Sequence, residues 1–147
     1  MTEDDLKKRT KQFALRILKP VAALPRTIAG RTIGGPLARS GTSVAANYRA
    51  ACRARSKAEF ISRLGVVEEE ADESGLWLEL IMEGELMKKG LVQPLWNEAD
   101  EIVAIMTSSR RMNGRGRARE SIQSRGGNIS EEFSLQFSCR ALIIVSL

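Results

Sequence analysis

The sequence predicts an all-α protein, an antiparallel up-down four-helix bundle with an irregular C-terminal tail. Apolar residues recur at spacings of three, four and seven in four stretches between residues 3 and 112. The breaks between those stretches are short, which favours antiparallel neighbours. Aromatic residues are only 5% of a chain that is 43% hydrophobic, so aliphatic and alanine side chains must fill the core. At 147 residues the chain has the size of a single domain. The expected organisation is a bundle over residues 3–112 and a Gly/Arg-rich linker with a poorly ordered tail over 113–147.

The first helix is read over residues 3–24, with Leu6, Phe13, Ile17, Val21 and Leu24 on one face and Lys8, Lys11 and Lys19 opposite. Pro20 lacks an amide donor and is expected to kink its last turn. Gly34-Gly35-Pro36 predicts a loop, with the regular part of the second helix starting at Pro36 and running to about 53. Its stripe is Leu37, Gly41, Val44, Tyr48 and Cys52, and small residues such as Gly41 and Ala45 permit a close helix–helix approach.

Ser56-Lys57-Ala58-Glu59 reads as a capping box. The Ser56 hydroxyl accepts from the Glu59 amide, and the Glu59 carboxylate is expected to accept from the Ser56 amide. The third helix is read from there to about 89, with Gly90 as its left-handed stop and Phe60, Leu64, Val67, Ala71, Leu78 and Met82 as its stripe. Pro94 is expected to open the fourth helix, whose face is Leu95, Ala99, Ile102, Val103 and Met106 and which ends near 110. Beyond it, residues 113–119 and 124–128 read as basic linkers. From Phe133 every odd position is apolar, a period-two pattern without a strand partner in a helical bundle.

Histidine is absent from the chain, which removes the commonest general base, the commonest zinc ligand and every Ser-His or Cys-His pair. Cys52 and Cys139 stand too far apart in sequence for a metal knuckle. Neither a catalytic residue, a metal site nor a cofactor is expected. The N-terminus, Met1-Thr2-Glu3-Asp4-Asp5, is acidic where a secretory signal would be basic, and no apolar run reaches the length of a membrane span. A cytoplasmic protein with reduced thiols is the expectation, without membrane association.

Charge is unevenly distributed. Residues 1–67 carry a net +10, residues 68–106 a net −9 and residues 107–147 a net +4. One reading is that basic and acidic elements pack together and pair; the other is a surface that faces a polyanion, which counterion release from phosphates favours. Arg39, Arg49 and Arg53 fall within an arc of about 80° on the second helix. With Lys8, Lys11 and Lys19 they form the candidate nucleic-acid-binding set, and a carboxylate-paired face is the alternative. Glu69, Glu70, Asp72 and Glu73 form the densest acidic group. Without Glu-x-x-His pairs they do not suit a di-iron bundle, and structural ion pairs to Arg49 or Arg53 are their expected role. Ser40, Thr42, Ser43 and Asn47 are expected to make hydrogen bonds inside the bundle or at a subunit seam. Tyr48, Trp77 and Trp96 are read as packing residues, with base stacking as the alternative.

The run Arg39-Ser40-Gly41-Thr42-Ser43-Val44-Ala45-Ala46-Asn47-Tyr48-Arg49-Ala50 resembles the signature of the bacterial four-helix bundle family. That family includes proteins encoded by 23S rRNA intervening sequences. Leu24-Pro25-Arg26, Glu69-Glu70-Ala71-Asp72-Glu73-Ser74, Trp77-Leu78-Glu79-Leu80 and Glu98-Ala99-Asp100-Glu101 extend the match. The resemblance implies an antiparallel four-helix bundle that assembles into a ring-shaped homopentamer. Some relatives are accessory proteins of diversity-generating retroelements, so it also implies RNA or DNA, and a reverse transcriptase, as partners. The function expected is a non-enzymatic homo-oligomeric bundle that binds nucleic acid or a nucleoprotein through its first two helices. The alternative is a purely structural oligomer or protein–protein adaptor.

Overall fold

In the computed structural model, which describes residues 1–123 and the side chains of 1–114, four helices follow one another in the order α1 (Glu3–Ala23), α2 (Ile28–Ala51), α3 (Lys57–Glu83) and α4 (Lys89–Gln123). Each packs against the next, and α1 closes the ring of contacts against α4, which gives the antiparallel up-down bundle. Leu6, Phe13, Ile17, Leu37, Val44, Tyr48, Phe60, Leu64, Leu78 and Ile102 are fully buried on the facing stripes.

Local chemistry starts each helix. Thr2 caps α1 by accepting from the Asp5 amide at 3.2 Å while its own amide donates to the Asp5 carboxylate at 2.8 Å. The helix continues past Pro20, which is buried. Thr27 caps α2 by accepting from the Gly30 amide at 3.1 Å. A Cβ on Gly30 would stand 2.0 Å from the Pro25 carbonyl oxygen, so the turn admits only glycine there. A Cβ on Gly41 would stand 2.7 Å from Ile17, the close α1–α2 approach that the small residues foretold.

Several boundaries differ from those expected. The second helix begins at Ile28 rather than Pro36 and runs through Gly34-Gly35-Pro36. The Thr27 cap and the burial of Ile33 and Gly34 against the end of α1 outweigh the poor helix propensity of that triplet. At the start of α3, Ser56 does accept from the Glu59 amide at 3.1 Å, but the Glu59 carboxylate accepts from the Arg55 amide at 2.9 Å instead of the Ser56 amide.

The third helix ends at Glu83, not near 89, and Gly90 is not its stop. Its left-handed residue is Glu85, at φ 53°. The Leu86 amide donates to the Ile81 carbonyl at 3.0 Å and the Glu85 amide to the Met82 carbonyl at 3.3 Å, the two bonds of a Schellman closure. The fourth helix accordingly starts at Lys89, before Pro94. It continues beyond Arg110 through Asn113 and Gly114 to Gln123, so the first part of the expected linker is helical. Residues 124–147, which include the period-two stretch and Cys139, lie outside the described residues.

Candidate nucleic-acid interface

The outer seam between α1 and α2 is an open groove of about 540 Å³, lined by Lys7, Lys8, Lys11, Arg49 and Arg53 with Thr42, Ala45 and Ala46 between them. Its shape follows from the helices. Lys7, Lys8 and Lys11 sit within about a turn of each other near the start of α1, while Arg49 and Arg53 are one turn apart at the end of α2. Antiparallel packing brings these two ends together. Gly41 lets the helices approach closely, and the small side chains of Ala45 and Ala46 leave the seam hollow.

Four of the six cations expected to bind nucleic acid meet here, namely Lys8, Lys11, Arg49 and Arg53. All four are exposed, and none makes an ion pair among the described residues. The other two lie elsewhere. Lys19 is exposed on α1, about 12 Å along the axis from Lys11. Arg39 is committed to carboxylates, donating to Glu73 at 2.5 Å and to Glu70 at 3.5 Å. Glu73 lies opposite Arg39 and holds its guanidinium pKa above the ordinary value.

The acidic group therefore pairs with a different arginine from those expected. Glu70 and Glu73 take Arg39 rather than Arg49 or Arg53, and Glu69 is exposed without an ion pair among the described residues. The register explains this. The Ser74 hydroxyl donates to Ser40 at 2.9 Å across the buried α2–α3 seam, which sets Arg39 beside Glu73. Arg49, ten residues on, is turned about 80° round the helix from Arg39 and lines the α1–α2 groove instead. The Glu73 carboxyl is held below its usual 4.5 by the Trp77 indole N–H at 3.1 Å and by Arg39.

Lys7 is a groove residue that sequence reasoning missed; its i, i+4 spacing to Lys11 was the available signal. It is ion-paired with Glu3 and lies 3.8 Å from Asp4, and the Glu3 bond raises its pKa. Of the polar residues of α2, Ser40 makes the expected bond inside the bundle, whereas Thr42 is exposed and donates within its own helix to the Ala38 carbonyl at 2.7 Å, as Asn47 does to the Ser43 carbonyl at 3.0 Å. Tyr48 is fully buried, and the Trp96 indole donates to Glu79 at 2.7 Å on the α3–α4 side, so no aromatic ring lines the cationic groove. Among the described residues no group of three His, Cys, Asp or Glu side chains is placed to hold a metal ion. No described helix is long and apolar enough to cross a membrane.

Residues 3–108 match the family described as 23S rRNA-intervening sequence protein. The chain belongs to this family. A crystal structure of a protein of unknown function from the S23 ribosomal protein family of Bacteroides thetaiotaomicron is similar, at 30% identity and a TM-score of 0.68. The match covers 76% of this chain and 99% of that one, and the family match reaches from the start of α1 into α4. Curated proteins yield no match. Membership of the 23S rRNA-intervening sequence protein family agrees with the resemblance carried by residues 39–50, a run that supplies both the Arg39 ion pair and one wall of the groove.

Proposed function

We propose that this family member is a non-enzymatic homo-oligomeric module, ring-like in assembly, that binds RNA or DNA, or a nucleoprotein such as a reverse transcriptase with its RNA, through the α1–α2 groove. It would act in the cytoplasm. The observation that carries the reading is the convergence of Lys8, Lys11, Arg49 and Arg53 on one groove, where none of them is paired with a carboxylate among the described residues. Cations left open at a concave surface attract phosphate, and a ring would repeat the patch and raise avidity. The groove supplies no stacking ring, so affinity would come from phosphate contacts. A second reading, a structural oligomer or adaptor, is supported at one point, where Arg39 is committed to Glu70 and Glu73.

Titrating labelled duplex and single-stranded RNA and DNA at 50 and 200 mM salt tests the proposal. Four phosphate contacts predict a slope of log K against log salt of about −3.6 for duplex DNA, or about a hundredfold weakening over that range. Arg49→Ala with Arg53→Ala should bring the slope to about −1.8 while leaving the melting temperature nearly unchanged, because both side chains are exposed. No binding at 50 mM salt would overturn the nucleic-acid reading and leave the adaptor. Native mass spectrometry reads the assembly.

A further inference from the structure

On the opposite side of the bundle, α3 and α4 leave a second seam of contrasting character. Two adjoining hollows, of about 310 and 530 Å³, share Glu79 and Trp96. Asp72, Asp100, Glu83 and Glu85 stand along them without an ion pair among the described residues. Between the acids the surface is apolar, for Leu76 is 50% exposed and Val103 and Met82 line the seam. The Trp96 indole is held in place by its bond to Glu79.

Gly75 lies on the floor of the first hollow, in the interior of α3. A Cβ added there would meet nothing within 4 Å, and the residue is helical with no positive φ. Neither packing within the chain nor backbone conformation calls for glycine at this position, although glycine weakens a helix interior relative to alanine. A glycine on the floor of a groove permits close approach by something from outside.

We infer that the α3–α4 seam seats a cationic amphipathic helix from another protein. The walls are acidic apart from Lys89 at the end of the second hollow, and with an apolar centre and a small-residue floor they complement a helix with an apolar stripe flanked by Lys or Arg. From Asp72 to Glu83 the seam runs about 16 Å, three turns of such a helix. The chain's own cationic helix fits less well. Leu15 and Leu18 are exposed on α1 beside Lys11 and Lys19, but that apolar pair covers about one turn, and Pro20 and the helix end follow. The cationic α1–α2 groove is itself concave and cannot fill another hollow.

The test uses the full chain and two labelled synthetic peptides of identical Lys/Leu composition, about 14 residues long. In one, leucines recur at helical spacing; in the other, the order is scrambled so that no stripe forms. At 150 mM salt, fluorescence anisotropy should show the striped peptide binding at least about tenfold more tightly than the scrambled one. Gly75→Leu should abolish that preference without lowering the melting temperature. Asp72→Lys with Asp100→Lys, both at exposed positions, should weaken the striped peptide by at least a similar factor. Equal binding of the two peptides would reduce the seam to a diffuse negative charge and overturn the inference. So would peptide binding indifferent to Gly75→Leu, or a loss of oligomer mass on Gly75→Leu in native mass spectrometry, which would place a second copy in the seam.

Discussion

Arg39 and Arg49 share a helix and a side chain, yet one is held by two carboxylates and the other stands open. Position around α2 decides this, since Arg39 meets α3 while Arg49 lines the groove with α1, and the thermodynamic consequence falls on Glu73. The Trp77 indole and the Arg39 guanidinium both favour the ionised Glu73 carboxylate, so its folded-state pKa lies below the unfolded value near 4.5. A carboxyl depressed on folding stabilises the protein above the unfolded pKa and loses that contribution as pH falls through the folded pKa. Stability measured from urea midpoints should therefore fall more steeply below pH 4.5 in the wild type than in Glu73→Gln. Equal slopes would mean that the pair is screened by solvent, as exposed ion pairs often are. The grouping of these charges was legible in the sequence, but their partners were not. Glu69, Glu70 and Glu73 lie within little more than a turn of one another, and the packing of α2 on α3, marked by the Ser40–Ser74 contact, brings Arg39 to the last two.

At the scale of the helix, stripes were legible and several ends were not. Phe60, Leu64, Val67, Ala71 and Leu78 are buried as their spacing foretold, because burial of an apolar face dominates helix energetics. Ends depend on weaker and more local terms. Gly34-Gly35-Pro36 reads as a break, yet α2 passes through it because tertiary packing outweighs propensity. At the other boundary Gly90 attracts the eye as a left-handed stop, while the conformation belongs to Glu85 at φ 53°. A side chain there costs about 1–2 kcal/mol relative to a right-handed conformation. Glu85→Gly should relieve that strain at some cost in unfolded-state entropy, for a net stabilisation of about 1 kcal/mol. Chemical denaturation reads it directly. A neutral or destabilising outcome would show that the carboxylate contributes to the α3–α4 turn beyond its backbone geometry.

For the whole molecule, the uneven charge distribution becomes a question of which cations the acids leave open. The closure of α1 on α4 takes Arg9, whose Nε donates to Glu98 at 2.6 Å and whose guanidinium also reaches Glu101. Arg63 and Arg110 are held by Glu59 and Glu68. These pairs tie helices to one another or reinforce a single turn, and none lies in the α1–α2 groove. The groove's own carboxylate contact is the bond from Lys7 to Glu3, with Asp4 beyond it. The acidic first turn of α1, which favours the helix N-terminus by its charge, thus also withholds one ammonium group from the groove. Glu3→Gln should free Lys7 for a fifth phosphate contact. The expected readout is a salt slope for duplex DNA steeper by about 0.9 and tighter binding at 50 mM salt, with a small loss of helix stability at the N-terminus. Added positive charge acting only at a distance would tighten binding without a full extra counterion in the slope. Lys7→Gln in the same background decides between the two, since it should return the slope to the wild-type value only if Lys7 itself meets the phosphate.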